Sequence, residues 1–134
     1  MDRDLLITAA ILHDLGKLEE YEIKGGDFAY CERASYLGHI TLCEQAVSKL
    51  IDLVPDFPPE CANELRHMIL AHHGKKEWGS HIEPRFIEAE ALSLADLSDS
   101  QLNKFSINTE GFTDKNGGYH QKLERFIIRG NKTK

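Results

Sequence analysis

Cysteine is scarce in this sequence, with Cys31, Cys43 and Cys61 the only three among 134 residues. Their number is odd, and the gaps of 12 and 18 residues (31 to 43, 43 to 61) match neither a CxxC ligand pair nor a disulfide framework. Reduced thiols in a cytoplasm are the simplest reading. Long apolar runs are also lacking. The longest, LLITAAIL at residues 5–12, stops at His13 and is too short to span a bilayer. The opening MDRDLL is acidic, so no secretory leader is expected. Positive charge is in deficit, 16 Lys and Arg against 22 Asp and Glu, for a net −6. Such a surface is no general match for nucleic acid or an anionic membrane, although a cation held in a cleft would reverse the sign locally. Repeats, low-complexity tracts and linkers are absent. The expectation is one domain over residues 1–134, long enough to bury roughly two-thirds of its unfolded surface.

What remains is ordinary globular composition, 41% hydrophobic and 28% charged. The pattern predicts mostly helix. Residues 5–15 read as a helix buried on most sides, with Asp4 to cap its start and Gly16 to end it. KLEEYEI and FAYCER read as short strands around the turn KGGD. A second helix follows Ser35, with Ile40, Val47, Leu50, Ile51 and Val54 on one face, and PDFPP stops it. The third runs from about Pro59 to His73 with Leu65, Met68, Ile69 and His72 at helical spacing and Gly74 as its stop. The fourth begins near Pro84. A turn KNGG and a strand-like RFII close the chain. The fold class is all-α: a helical bundle with a small hairpin and a strand-like tail.

His13 and Asp14 fall at the end of the first helix, His39 near the start of the second, and His72 and His73 at the end of the third. Asp96 lies seven residues after Ala89 and four after Leu92, on their inward face. Taken singly, each is equally a core histidine, a helix cap or a solvated acid. Taken together, imidazoles and carboxylates suit Mn, Fe, Ni or Zn, and a bridging aspartate can hold two such ions roughly 3.5–4 Å apart. Ligand-type clusters at helix ends would converge in one cleft.

The segments HDLGK (13–17), LGHI (37–40), HHGKKEWGS (72–80) and EAEALSLADLSD (88–99) resemble the HD-domain metal-dependent phosphohydrolases. Within these they are most similar to the HD domain of YhaM-type 3′–5′ exoribonucleases. The resemblance covers nearly the whole chain and is weaker at GFTDK near the tail. It implies that His13 and Asp14 are the name-giving pair, with Asp14 bridging two metals. It implies further that His39, His72 and His73 complete one shell, that Asp96 is the last ligand of the other, and that Asp99 supports the site. Lys17 would meet the substrate phosphate as a point charge, with Lys75 and Trp78 in the loop beyond the double histidine. For Trp78 a structural role is as well founded as a stacking one.

On the same resemblance, the reaction is attack of a hydroxide, generated between two cations, on phosphorus in line. Asp14 and Lys17 are the catalytic residues, and Mn²⁺ is the favoured ion. The substrate would be an RNA 3′ end or a nucleotide, with no DNA-binding element and no membrane involved. Two family features have no counterpart: a histidine on a helix preceding the His-Asp pair, and an N-terminal OB-fold. The chain is therefore expected to be a fragment or a reduced domain. The alternative function is a catalytically impaired module that binds a nucleotide or another protein. His67, His81 and His120 are assigned to surface or packing. The uniformly apolar first helix leads to an expected homo-oligomer through that helix.

Overall fold

The computed structural model describes residues 1–109 and 117–128. Four helices dominate: α1 (Arg3–Leu12), α2 (Glu32–Asp52), α3 (Pro59–Ala71) and α4 (Ile87–Thr109). Two antiparallel strand pairs accompany them, β1 (Tyr21–Lys24) with β2 (Asp27–Tyr30) and β3 (Gly118–His120) with β4 (Arg125–Ile127). The mostly helical class with a small hairpin is thus as the sequence predicts. None of these helices is long and apolar enough to cross a membrane. The residues form two compact units, Met1–Asp96 and Leu97–Lys134. GFTDK and the Lys115–Asn116 part of KNGG lie outside the described residues.

In the first unit, α1 starts two residues earlier than the apolar run suggests. Asp2, not Asp4, is the cap: its Oδ1 accepts from the backbone N–H of Asp4 and Leu5, both at 3.0 Å. Only one side of α1 is buried. Ala9 is in the core, with Leu5, Leu6 and Leu12 half-buried against it, whereas Ile7 is exposed and Ile11 is 75% exposed. The expectation of burial on most sides is therefore corrected. An apolar run with no polar face has no pattern from which the buried side can be chosen.

Gly16 does not stop α1, which ends at Leu12 with His13 as its cap. It sits in a 3₁₀ turn, Leu15–Glu19, that occupies the KLEE stretch expected as strand. Its role is close approach. A Cβ on Gly16 would lie 2.0 Å from the carbonyl oxygen of His39, 2.5 Å from the Cys43 nitrogen and 2.9 Å from the Cys43 Cβ. The Cys43 thiol donates to the Leu12 carbonyl at 3.0 Å, fixing the same contact from the other side.

The hairpin turns on Gly25 (φ 63°) and Gly26 (φ 96°), as two consecutive left-handed residues of a tight hairpin turn require. Its register pairs Tyr21 with Tyr30 and Ile23 with Phe28. The amide of Cys31 then donates to the Glu20 carbonyl at 2.7 Å, closing the strands back on the 3₁₀ turn. α2 begins at Glu32 rather than after Ser35 and is broken at Gly38 (φ 70°, ψ 156°), a conformation open to glycine alone. Ile40, Val47 and half-buried Ile51 face inward as expected, but Leu50 and Val54, at the frayed end before PDFPP, are exposed. α3 buries Leu65, Met68, Ile69 and Ala71, and α4 starts at Ile87 rather than near Pro84. The core of this unit joins Ala9, Cys43, Val47, Leu65, Met68, Ile69, Ala89 and Leu92. In the second unit, RFII pairs with Gly118–His120, a partner that the sequence pattern did not reveal.

The Gly16 contact generates a prediction. Gly16→Ala should cost about 1–3 kcal/mol or more, because the atoms it meets are backbone and cannot move aside. At Gly25 an added Cβ meets nothing within 4 Å, and only the positive φ is penalised. Gly25→Ala should therefore cost only the roughly 1–2 kcal/mol of the left-handed conformation, less than Gly16→Ala. Urea unfolding of the two variants checks the order, and equal midpoints would remove the close-packing argument.

Candidate metal centre

The end of α1, the break in α2, the end of α3 and the middle of α4 bring six side chains together. They form two groups, His39, His72 and His73, and His13, Asp14 and Asp96. Within each group one ligand atom per residue lies within 4.8 Å of the others. All six sequence-derived ligand candidates are accounted for. The histidine rings meet edge to face or tilted, with centroids 5.0 Å apart for His13 and His72, 4.3 Å for His72 and His73, and 5.2 Å for His39 and His73.

Asp14 stands between the groups. Its Oδ1 is 3.8 Å from His39 Nε2 and 3.9 Å from His72 Nε2. Its Oδ2 is 3.4 Å from His13 Nε2 and accepts from Lys17 Nζ at 2.6 Å. His13 Nε2 is in turn 3.8 Å from Asp96 Oδ1. The two carboxylate oxygens thus face different sets of imidazoles.

Whether a metal fits can be judged from the polar atoms themselves. Asp14 Oδ1, His39 Nε2 and His72 Nε2 are buried and have no hydrogen-bond partner. A buried polar atom without a partner costs about 1–3 kcal/mol, and three converging on one point is not a stable arrangement for its own sake. Donors sharing an ion at about 2.1 Å stand roughly 3–3.5 Å apart, slightly closer than the separations here. A small inward movement satisfies all three, so the residues fit a divalent ion.

The far side of each ring explains its aim. The Nδ1 atoms of His13, His72 and His73 lie 2.9, 2.7 and 3.1 Å from the carbonyls of Ala10, Ile69 and Trp78. A carbonyl can only accept, so each Nδ1 carries the proton and each Nε2 presents its lone pair to the cluster. The first two contacts are helical (i−3), which is why a histidine at a helix end is so readily held. The third is made by the loop after α3, which turns at Gly74 (φ 80°) where a Cβ would meet the Ser93 hydroxyl at 2.5 Å. His39 differs: its Nδ1 faces Glu20 Oε1 at 3.3 Å. Glu20 is buried and was not singled out by the sequence, since two consecutive glutamates before a hairpin give no sign of which one turns inward.

The electrostatics favour neutral imidazoles at His39 and His72 and an ionised Asp14. Burial pushes His72 down from 6.5 to about 4, outweighing the opposite pull of its bond to Ile69. Burial also lowers His39, against the opposing charge of Glu20. For Asp14, burial raises the pKa, but the Lys17 hydrogen bond and the fields of His13, Lys17 and His72 outweigh it and the net shift is downward.

The other candidates are placed as follows. Lys17 is half-exposed beside Asp14. Lys75 Nζ lies 5.0 Å over the ring of Trp78, which is 48% exposed while its carbonyl holds His73. Asp99 is exposed and belongs to neither group. His67 packs on Phe86 and accepts from the Arg85 amide at 3.2 Å, and exposed His81 has its Nε2 3.1 Å from the Thr41 hydroxyl; both lie outside the two groups. His120 lies in β3.

Comparison with known proteins adds the following. A family model described as "HD domain" matches residues 1–100. Three curated relatives are named 3′–5′ exoribonuclease YhaM. The protein from Listeria monocytogenes serotype 4b (strain CLIP80459) is 41% identical over 104 residues, those from Bacillus subtilis (strain 168) and Shouchella clausii (strain KSM-K16) 40% and 39%. Each alignment covers 77% of this chain and 32% of the relative, so the chain spans about a third of the length of the curated relatives it matches. No solved structure matches the chain.

The titration of His72 has a consequence for stability in chelator. Between its ordinary 6.5 and its folded value of about 4, the unfolded chain binds a proton that the folded chain refuses. Stability should therefore fall as the pH is lowered through this window, by roughly 3 kcal/mol from this group when complete. Urea midpoints measured from pH 7.5 to 4 check this. His72→Gln should flatten the slope by up to one proton, and an unchanged slope would count against the burial argument.

Proposed function

This chain belongs to the HD-domain family, and from that premise we propose that residues 1–134 act as one HD domain, a metal-dependent phosphohydrolase that cleaves phosphodiesters at RNA 3′ ends or in nucleotides. The observation that carries the reading is Asp14, whose two oxygens face separate sets of imidazole nitrogens with three buried donor atoms left unsatisfied. His39, His72, His73 and Asp14 Oδ1 would hold one ion, and His13, Asp96 and Asp14 Oδ2 the other. Bound divalent ions supply neutralisation of phosphate charge and a nucleophile from water at neutral pH. Among metals suited to imidazole and carboxylate, Mn²⁺ is favoured over Fe, Ni and Zn by likeness to the family.

The protein's own residues do the rest. As ligands the histidines would serve as neutral imidazoles, and those of His13, His72 and His73 have their carbonyl-facing Nδ1 turned away from the cluster. Lys17 stands half-exposed next to Asp14 and brings a positive charge to where phosphate charge develops. Lys75 and Trp78 form the rim, a cation and a half-exposed ring available to phosphate and base. The RNA substrate is suggested by the name of the relatives. Because the chain carries net charge −6, its affinity for RNA on its own should be weak at physiological salt. Three unpaired thiols suit a cytoplasmic setting. The exposed Ile7 and Ile11 of α1 support a homo-oligomer through that helix.

Two experiments test these readings. Elemental analysis of chelator-free protein should find at least one transition metal per chain, and Asp14→Ala should lose both the metal and any Mn²⁺-dependent hydrolysis of a chromogenic phosphodiester. Asp99→Ala should keep its metal. A wild-type rate in Asp14→Ala would sink the two-metal mechanism, whereas metal binding without hydrolysis would favour the binding-module alternative. Light scattering at micromolar concentration should show an oligomer that Ile11→Glu dissociates; a monodisperse wild-type monomer would refute the association.

A further inference from the structure

Three of the four clustered histidines have their Nδ1 held by a backbone carbonyl, and only His39 depends on a side chain. That side chain belongs to Glu20, whose Oε1 lies 3.3 Å from His39 Nδ1 and accepts from the hydroxyl of Tyr30 at 3.0 Å. Glu20 is 8% exposed, and among the described residues no lysine or arginine pairs with it. Its backbone is fixed as well, because the Glu20 carbonyl accepts from the Cys31 amide across the base of the hairpin. A nearly buried carboxylate with one phenol and one imidazole as partners is costly unless it does something for those partners.

Resting on the reading of this site as a metal centre, we propose that Glu20 is a positioning residue: held by Tyr30 of the hairpin, it keeps the His39 proton on Nδ1 and so aims the Nε2 lone pair at Asp14 Oδ1. The chemistry is one-sided. An ionised carboxylate can only accept, so a ring nitrogen facing it must carry hydrogen, and the opposite nitrogen is left bare. His39 also needs such a hold more than the others. It follows directly on the Gly38 break, where no preceding helical carbonyl at i−3 is positioned to receive its Nδ1 as Ala10 and Ile69 do for His13 and His72. A charged acceptor further raises the basicity of the imidazole as a ligand. The hairpin, otherwise remote from the cluster, thereby becomes part of the support of the site.

Long-range ¹⁵N–¹H NMR of the chelated full chain, with His39 assigned through His39→Gln, reports which ring nitrogen bears the proton. The wild type should show His39 protonated on Nδ1, and Glu20→Ala should shift it toward Nε2. In parallel, calorimetric titration with Mn²⁺ should show affinity about 10–100-fold lower in Glu20→Ala. Glu20→Gln, whose amide oxygen still accepts, should recover part of this, and Tyr30→Phe should lose several-fold. Tyr30 is 49% exposed, so its variant provides a folded test should Glu20→Ala fail to fold. An Nε2-protonated His39 in the wild type overturns the proposal, as does unaltered Mn²⁺ affinity in folded Glu20→Ala or, should that variant not fold, in Tyr30→Phe. If the wild type takes up no metal, the functional reading fails by itself, and the tautomer of chelated His39 still decides the role of Glu20.

Discussion

The turn after α1 can lie against α2 only because Gly16 has no side chain: a Cβ there would stand 2.0 Å from the His39 carbonyl oxygen. That contact sets the distance between the Asp14 and His39 backbones, and the distance decides whether Asp14 Oδ1 can approach His39 Nε2 at all. From the same turn Asp14 also faces His13 on its own element and His72 at the end of α3. Burial of Ala9, Cys43, Met68 and Ala89 draws the four helical elements together. Gly16 determines how close two of them come, and the core holds them there against the cost of the polar atoms between them.

That cost is the second constraint. Hydrophobic burial is non-directional, so it can bring histidines into one place without choosing which nitrogen faces inward. The choice falls to hydrogen bonds on the outer side of each ring. Helical carbonyls do this for His13 and His72 at no expense in additional residues, since any helix end offers them. The loop carbonyl of Trp78 does it for His73, which gives this tryptophan a structural task through its backbone whatever its ring contacts.

How much of this could be read in advance follows from the range over which each feature is determined. The third helix and its inward set Leu65, Met68, Ile69 and His72 were legible because a 3.6-residue period, a proline at the start and a glycine at the end all agree. The hairpin was legible from Gly25–Gly26. His13, Asp14, His39, His72 and His73 were legible because each sits at or near a helix end or break, and Asp96 because it shares the inward face of α4 with Ala89 and Leu92. Gly16 was misread as a helix stop, because a glycine required by His39 and Cys43, on a different helix, looks the same in sequence as one required by its own φ. The buried side of α1 and the partner of RFII depended on tertiary packing. Glu20 was invisible, since its inward turn is fixed by the junction of a 3₁₀ turn with a strand, where neither period applies.

The division between backbone-held and side-chain-held rings has a further implication. A carbonyl that accepts from His13 or His72 remains in place through any substitution that preserves the helix, so the aim of those rings is robust to changes in side chain. Glu20 can be altered by one substitution, and its partner Tyr30 lies in a small two-stranded hairpin whose apolar face of Ile23 and Phe28 is open to solvent. Isolated two-stranded hairpins are marginal in water. The orientation of His39 therefore depends on a small hairpin, whereas His13 and His72 depend on helix backbone. Local opening is cheapest where few apolar contacts are lost. It follows that the His39 ring is more easily loosened than those of His13 and His72.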